Sequence, residues 1–191
     1  MKHRIFIGGF VEADYFGKEY YRMRYDFDMI SGGKWVPLPN LHFTMKFLGD
    51  VDVSQLPGMS DVLKNYLCVH FDDIFINGIG FFPHHRAPRI LYARVHNPSG
   101  ILYQIRSEIE NLLEPLGFKK EERSFIPHIT LNRVQDAETS RTPLFLQKYA
   151  EIDFGIKPTY TISLIESMLT REGSIYKAIP LPDSDFVWFF F

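Results

Sequence analysis

Two stretches of the chain carry the same short pattern and decide the predicted fold: "NLHFTMKFLGDV" at residues 40–51 and "IPHITLNRV" at residues 126–134. Each has a histidine, any residue, a threonine and an apolar residue within an apolar run. Residues two apart on a strand face the same side, so each stretch predicts a strand that presents an imidazole and a hydroxyl together. The intervening apolar side chains are expected to anchor that strand in a core.

The repetition of this pattern points to function rather than to packing alone. The 191 residues include seven histidines and seven threonines. At that composition, chance gives about a quarter of one His-x-Thr pattern per chain. Two copies, both in strand-like surroundings, therefore indicate that His42, Thr44, His128 and Thr130 form one site.

Two imidazoles and two hydroxyls suit the hydrolysis of a cyclic phosphodiester. Histidine titrates near neutrality, so one imidazole can accept a proton while the other donates one. Attack by water and departure of the ribose oxygen lie roughly in line through phosphorus, so acid and base must flank the phosphate. The threonine hydroxyls can donate to its non-bridging oxygens. A metal site is disfavoured, because the set is a poor ligand shell and no carboxylate lies beside either histidine.

The composition limits the partners and the compartment. The net charge of −2 does not fit a wide non-specific nucleic-acid groove, which needs a strongly basic surface, so a small phosphorylated ligand or an RNA end is expected. Cys68 is the single cysteine, which excludes an internal disulfide and a thiol-rich metal site. The short apolar start does not fit a signal peptide, and no apolar run reaches membrane-spanning length. We expect a cytoplasmic monomer with no membrane contact.

Strands and helices interleave along the chain, and some strands follow each other directly, which predicts the α+β class with much antiparallel sheet. Asn97 is the predicted N-cap of the third helix, and Gly117 the residue that ends it. No break in composition divides the chain, so residues 1–191 are predicted to form one domain, with a tail at 183–191 of unknown role. Besides the two motif strands, the predicted elements are strands at residues 4–10, 71–81 and 89–96, helices at residues 12–29, 60–69 and 97–116, and a final hairpin around residues 171–173.

At the two motifs the chain resembles the 2H phosphoesterase superfamily, and within it the RNA 2′,3′-cyclic phosphodiesterases, also called 2′–5′ RNA ligase-like proteins. The resemblance extends through an ordered series of segments: "RIFIGGF", "WVPLPNLHFTMKFLGDV", "GIGFFPHHRAPRILYARV", "LEPLGFKKEERSFIPHITLNRV" and "ISLIESMLTREGSIYKAI". It implies a bilobal fold with two antiparallel sheets that face a central cleft and helices on the outer faces. It also implies that a terminal 2′,3′-cyclic phosphate is opened to a 2′-phosphate without a metal or cofactor. His42 is then the proton donor and His128 the proton acceptor.

Further residues are weaker candidates for contact with the substrate. Arg133 matches a family pattern in which an arginine binds phosphate, although its odd offset from His128 requires a bulge or a strand end. Lys46 would share the face of His42 on a regular strand and could hold phosphate. Phe43, Trp35 and Phe10 could stack on a base. A set of basic residues could steer an RNA end: Arg86, Arg89, Lys119, Lys120 and Arg123.

The chain departs from the family pattern in two places within the resemblance. Met45 replaces the usual leucine, and the opening strand is richer in glycine at residues 7–9.

Two kinds of alternative function stay open. The same site could instead act on 2′–5′ oligonucleotides or on a cyclic phosphate of a small metabolite, or it could join RNA ends as a 2′–5′ RNA ligase. The other kind is a protein that binds RNA ends without turnover, which would not need two titrating groups.

Overall fold

The computed structural model describes residues 1–170 and 173–180, which contain nine β-strands and four α-helices. The strands are β1 Lys2–Phe10, β2 Ser31–Trp35, β3 His42–Asp52, β4 Val69–Phe82, β5 Ile90–His96, β6 His128–Ala137, β7 Asp153–Thr161, β8 Ser163–Thr170 and β9 Gly173–Ala178. The helices are α1 Lys18–Asp28, α2 Leu56–Leu63, α3 Ile101–Leu113 and α4 Thr142–Lys148. All strand pairs are antiparallel, and the predicted α+β class is confirmed.

The strands form two halves that meet at a single point. Their order is β7-β4-β5-β6-β3-β1-β8-β9, with β2 also paired to β6. Strands β6 and β3 are joined only through the pair Phe43–Ile129, so the two predicted sheets are connected at one position. These two residues are the middle residues of the His-x-Thr motifs. The narrow junction therefore places the two motifs next to each other, one in each half.

Apolar side chains between and after the motif residues anchor both strands. Phe43, Met45, Ile129 and Leu131 are all at most 2% exposed. They belong to one continuous core, to which helices α1 and α3 contribute their apolar faces. The predicted alternation of core and outward residues is therefore present across both motifs. It fixes the direction of the histidines and threonines.

Each motif strand carries a bulge just after its threonine. Opposite β1, Gly8 pairs with Thr44 and Ile7 pairs with Lys46, which leaves Met45 as an extra residue. In the other half, the pairing of β5 with β6 skips Leu131 in the same way. A bulge reverses the alternation of faces beyond it. Residues four and five positions after each histidine thus exchange sides relative to a regular strand.

The glycine-rich opening of β1 has a steric cause. A Cβ atom on Gly8 would lie 2.3 Å from the carbonyl oxygen of Phe43, and one on Gly9 would lie 2.5 Å from that of Thr161. Real Cβ atoms do not approach backbone that closely. Gly8 therefore allows β1 to lie close against the strand that carries His42, and Gly9 allows it to lie close to the end of β7.

Two predicted helices have other bounds than the sequence indicated. The first begins at Lys18, after a 3₁₀ turn at Ala13–Tyr15. The second spans Leu56–Leu63 instead of residues 60–69, because Asp52 caps the 3₁₀ turn Val53–Gln55 that leads directly into it. The chain is already a strand by Val69.

The third helix begins later than predicted, although its predicted cap still contributes. Gly100, in a left-handed conformation, is its N-cap, so the prediction of Asn97 was wrong. The Asn97 side chain nevertheless accepts a hydrogen bond from the backbone N–H of Leu102 at 2.9 Å. Gly117 ends the helical segment with φ of 90°, as predicted.

The closing hairpin is formed by β8 and β9, which pair from Ile165–Ala178 to Thr170–Gly173. Residues 171 and 172 of its predicted turn at residues 171–173, and the tail at residues 183–191, lie outside the described residues. Among the described helices, none combines the length and apolar character needed to cross a membrane.

Candidate active site

A cleft of about 860 Å³ lies where the two halves meet, and both motifs line it. His42 and Thr44 come from β3, and His128 and Thr130 come from β6. The structure therefore brings together the four residues that the repeated pattern singled out. They lie on strands whose alternate side chains are fixed in the core, so the site rests on rigid elements.

The two imidazoles are held in the same way. Nδ1 of His42 lies 2.7 Å from the carbonyl oxygen of Asn40, and Nδ1 of His128 lies 2.6 Å from that of Ile126. A carbonyl only accepts hydrogen bonds, so Nδ1 donates in both rings. In each neutral ring, Nε2 is then the unprotonated nitrogen and the atom available for proton transfer.

Each imidazole also packs against a phenylalanine and a tyrosine. The ring centre of His42 lies 4.8 Å from that of Phe6 and 4.7 Å from that of Tyr176. The ring of His128 lies 4.9 Å from Phe82 and 5.3 Å from Tyr92. These aromatic partners restrict the rotation of both rings. No pattern in the sequence pointed to them, because they come from other strands and the chain has 30 aromatic residues in all.

Burial lowers the pKa of both histidines below the ordinary value of 6.5. For His42, the positive charges of Arg133 and His128 lower the pKa further. The carbonyl partners Asn40 and Ile126 act in the opposite direction, because a ring that donates to them is easier to protonate. Both rings therefore favour the neutral form in the free protein.

The bulge in β6 brings Arg133 into the cleft. Arg133 lines the cleft despite its odd offset from His128, because Leu131 is the extra residue between them. It is exposed and forms no ion pair with any residue in the described part of the chain. The bulge that the sequence-based prediction required is thus present.

The prediction that Lys46 lies on the cleft face was wrong, and the matching bulge in β3 is the reason. Lys46 points to the opposite side, where it is 5% exposed. Its ammonium group pairs with Glu110 of α3 and donates to the carbonyl oxygen of Lys119 at 2.7 Å. Burial, with a smaller effect of Arg106, lowers the pKa of Lys46 to about 8.

The aromatic residues predicted to stack on a base are placed differently. Phe43 is 1% exposed and packs edge-on against Tyr160 in the core, so its assignment to substrate binding was wrong. Trp35 lines the cleft, but its Nε1 donates to Asp28 at 2.7 Å and its ring packs against α1. The ring centre of Phe10 lies 6.4 Å from that of His42, but Phe10 does not line the cleft. None of the five basic residues proposed to steer RNA lines the cleft: Arg86, Arg89, Lys119, Lys120 and Arg123.

The charge of the cleft suits an anion. Arg4, Lys34 and Arg133 line it, whereas no Asp or Glu is among the lining residues that the structure describes. Within residues 1–170 and 173–180, no group of three or more His, Cys, Asp or Glu side chains is arranged to hold a metal ion. Phosphate oxygens would therefore meet imidazole, hydroxyl and guanidinium groups.

A comparison with known protein families finds one that matches this chain. The model of the LigT-like phosphoesterases matches residues 12–92 and 95–176, which include both motifs. The chain belongs to this family. The resemblance inferred from the two His-x-Thr motifs is thereby confirmed.

Several curated relatives of this LigT-like phosphoesterase carry the name RNA 2′,3′-cyclic phosphodiesterase. The one from Methanocaldococcus jannaschii is 36% identical over 151 residues, which cover 78% of this chain and 84% of the relative. The one from Aquifex aeolicus is 31% identical over 163 residues, which cover 83% of this chain and 85% of the relative.

Solved structures show the same fold. E. coli LigT in complex with 3′-AMP aligns with a TM-score of 0.74 and 21% identity, over 94% of this chain and 97% of that one. A protein from Thermus thermophilus aligns with a TM-score of 0.69 and 21% identity, over 93% and 95% of the two chains. At this identity the likeness establishes the fold alone.

Proposed function

We propose that this protein hydrolyses the terminal 2′,3′-cyclic phosphate of RNA to a 2′-phosphomonoester, without a metal ion. The observation that carries the proposal is the pair of identically held imidazoles in one cationic cleft. Curated relatives named RNA 2′,3′-cyclic phosphodiesterase support the same reaction. Because each half of one chain supplies one motif, a monomer holds a complete site.

His128 acts as the base in this reaction. Its Nδ1–H donates to the carbonyl of Ile126, so the lone pair on Nε2 can take a proton from water. The water oxygen forms a bond to phosphorus as that proton moves to Nε2. Burial supports this role, because it lowers the pKa of His128 and keeps the ring neutral near pH 7.

His42 acts as the acid. The bond between phosphorus and the ribose O3′ breaks, and the proton on Nε2 of the His42 imidazolium moves to O3′. Burial lowers the pKa of His42 in the free protein, whereas the negative charge of a bound cyclic phosphate raises it again. Binding of the substrate thus favours the protonated form of His42, which is the form that can donate a proton.

Arg133, Thr44 and Thr130 stabilise the charge on the non-bridging oxygens. All three line the cleft with the two histidines. A guanidinium group forms strong charge-assisted hydrogen bonds to phosphate, and a hydroxyl can donate one further bond. Groups fixed in place before the reaction cost no reorganisation at the transition state.

The ligand is an RNA 3′ end or a small nucleotide that carries a cyclic phosphate. The crystallised E. coli LigT, which shares the fold, was captured with 3′-AMP and with ATP. Nucleotides of this size are compatible with a cleft of about 860 Å³.

The test is incubation with a short RNA that ends in a 2′,3′-cyclic phosphate, in the presence of EDTA. Phosphorus NMR is expected to show conversion of the cyclic diester into a 2′-phosphomonoester. A 3′-phosphate product, or a strict need for added metal, would overturn the proposal. Cleavage of internal 2′–5′ linkages or joining of RNA ends would identify one of the alternative reactions.

A further inference from the structure

Strand β1 continues the cleft surface away from the imidazoles. Phe6 contacts His42, and both Phe6 and Arg4 line the cleft. Phe10 pairs with His42, and residues two apart on a strand lie about 7 Å apart, so Arg4 lies one such step beyond Phe6 along β1, away from His42. The cleft thus extends beyond the site that acts on the cyclic phosphate.

The Arg4 side chain is free to meet a ligand. It is exposed and forms no ion pair with any residue of the described chain. Its cross-strand neighbour on β3 is Asp50, but that carboxylate is not within ion-pair distance and does not line the cleft. A guanidinium without a partner, in a cleft, is a typical phosphate-binding group.

Exposed apolar surface lies next to Phe6, in the same cleft as Arg4. Phe47 pairs with Phe6 across β1 and β3, its ring lies 5.9 Å from that of Phe6, and it is 72% exposed. Leu169 of β8 lines the same cleft and is 74% exposed. An open aromatic ring next to a phosphate-binding cation is the combination that binds one nucleotide of a single strand.

The charge of the cleft contrasts with the charge of the whole protein. The chain has a net charge of −2 and 23 acidic residues, yet no described Asp or Glu lines the cleft. Besides Arg133 and Lys34, a third cation lines the cleft, Arg4, and it lies farther along β1. The next phosphate of an RNA chain can reach it there.

We propose that this part of the cleft binds the nucleotide that precedes the cyclic phosphate. Phe47 stacks on the base of that nucleotide, and Arg4 binds the phosphodiester that joins it to the terminal residue. The inference rests on the proposed function and names its substrate class. RNA ends of two or more nucleotides are the substrates, and mononucleoside cyclic phosphates react less efficiently.

The test compares kcat/KM for two substrates: adenylyl-adenosine 2′,3′-cyclic phosphate and adenosine 2′,3′-cyclic phosphate. We expect the dinucleotide to be favoured at least about tenfold, in line with the effect of stacking one base. A third substrate carries an uncharged methylphosphonate in place of the internal phosphodiester. It keeps the second base but removes the charge that Arg4 binds, so its advantage over the mononucleotide is expected to shrink.

Two variants separate the contributions of charge and stacking. Arg4→Gln is expected to reduce the preference for the natural dinucleotide about tenfold, with no further loss for the methylphosphonate. Phe47→Ala is expected to reduce the preference for both dinucleotides by a similar factor. The matched controls are Arg22→Gln and Phe71→Ala, which change exposed residues outside the cleft and are expected to keep the preference.

The outcomes distinguish this inference from the proposed function. Turnover of both substrates with equal kcat/KM, or an unchanged preference in Arg4→Gln and Phe47→Ala, overturns the second-nucleotide site alone. Absence of turnover for every substrate overturns the proposed function. Calorimetric binding of the two 2′-phosphate products needs no turnover: tighter binding of the dinucleotide, lost in Arg4→Gln, supports the site, and equal affinity overturns it.

Discussion

The strands that carry the two motifs, β3 and β6, are built alike over the four residues of each motif, from the histidine to the apolar residue after the threonine. Each has its histidine Nδ1 bonded to the carbonyl two residues earlier, each buries the residue after its histidine, and each bulges after its threonine. Each imidazole packs against a phenylalanine and a tyrosine, and His42 also contacts a second phenylalanine, Phe10. The groups proposed to transfer protons are thus held alike in the two motifs.

The strands differ at the two residues that follow the bulge. Lys46 and Asn132 occupy the matching buried position, and Phe47 and Arg133 occupy the matching cleft position. One half therefore presents a guanidinium group to the cleft, and the other presents an exposed aromatic ring. The charge of Arg133 also lowers the pKa of His42. The two motifs thus hold their imidazoles alike but place different side chains in the cleft.

Removal of either imidazole is expected to have the largest effect. His42→Ala and His128→Ala should each lower kcat by about 10²–10⁴-fold, because each removes one proton-transfer partner. The measurement is turnover of an RNA cyclic phosphate, with circular dichroism to check folding. His84→Ala is the control, since His84 is exposed and does not line the cleft. Full activity in either motif variant would break the proposed equivalence of the two strands.

Arg133→Gln is expected to have the second-largest effect on activity. The loss of one preorganised donor to the phosphate should lower kcat/KM by about 10²-fold. Arg22→Gln, on the outer surface of α1, serves as the matched loss of one charge. Equal kinetics in the two variants would show that the arginine on β6 is not what distinguishes the two halves.

The dependence of activity on pH tests the same difference between the two motif strands, with a smaller expected effect. Both histidines have a lowered pKa in the free enzyme, and an acid–base pair works best midway between its two values. The bell-shaped profile of kcat/KM is therefore expected to peak below pH 6.5. The profile of kcat should lie at higher pH, because the bound phosphate raises the pKa of His42.

One limb of the kcat/KM profile is set by the acid, His42, and the other by the base, His128. In Arg133→Gln the repulsion of the His42 imidazolium by the guanidinium is lost, so the pKa of His42 rises and the limb that it sets should move to higher pH. The limb that His128 sets should stay in place. A shift of both limbs together would contradict the assignment of acid and base.

Lys46→Met is expected to have the smallest effect on activity, because Lys46 is on the core side of the bulge. Its effect on stability should be a loss of about 1–3 kcal/mol in the free energy of unfolding, measured with urea. Glu110 keeps its ion pair with Arg106, which limits the loss. A large drop in kcat with unchanged stability would show that Lys46 acts in the cleft after all.

The pH dependence of stability gives a second readout of the buried lysine. The pKa of Lys46 is about 8 in the folded protein, against 10.5 for an exposed lysine. Between these values the unfolded chain binds more protons, so this residue makes stability rise with pH. Between pH 8 and 10.5, the free energy of unfolding of the wild type should therefore rise relative to that of Lys46→Met.

The sequence predicted the faces of both motifs because a period of two fixes His42 with Thr44 and His128 with Thr130. The same rule failed at Lys46, because a bulge leaves no mark in the sequence. Arg133 was identified only because the resemblance to a family overrode the alternation. The rings that flank the histidines come from distant strands, and only tertiary structure brings them together. Arg4, likewise, is an ordinary basic residue until β1 lies beside the cleft.

The measurement that tests the central claim most directly is the rate of cyclic-phosphate opening in His42→Ala, His128→Ala and the double variant. If both imidazoles act on one phosphorus in one step, the double variant should be about as slow as the slower single variant, because the groups work as a unit. Losses that multiply in the double variant, or a single variant that keeps the wild-type rate, would contradict the claim.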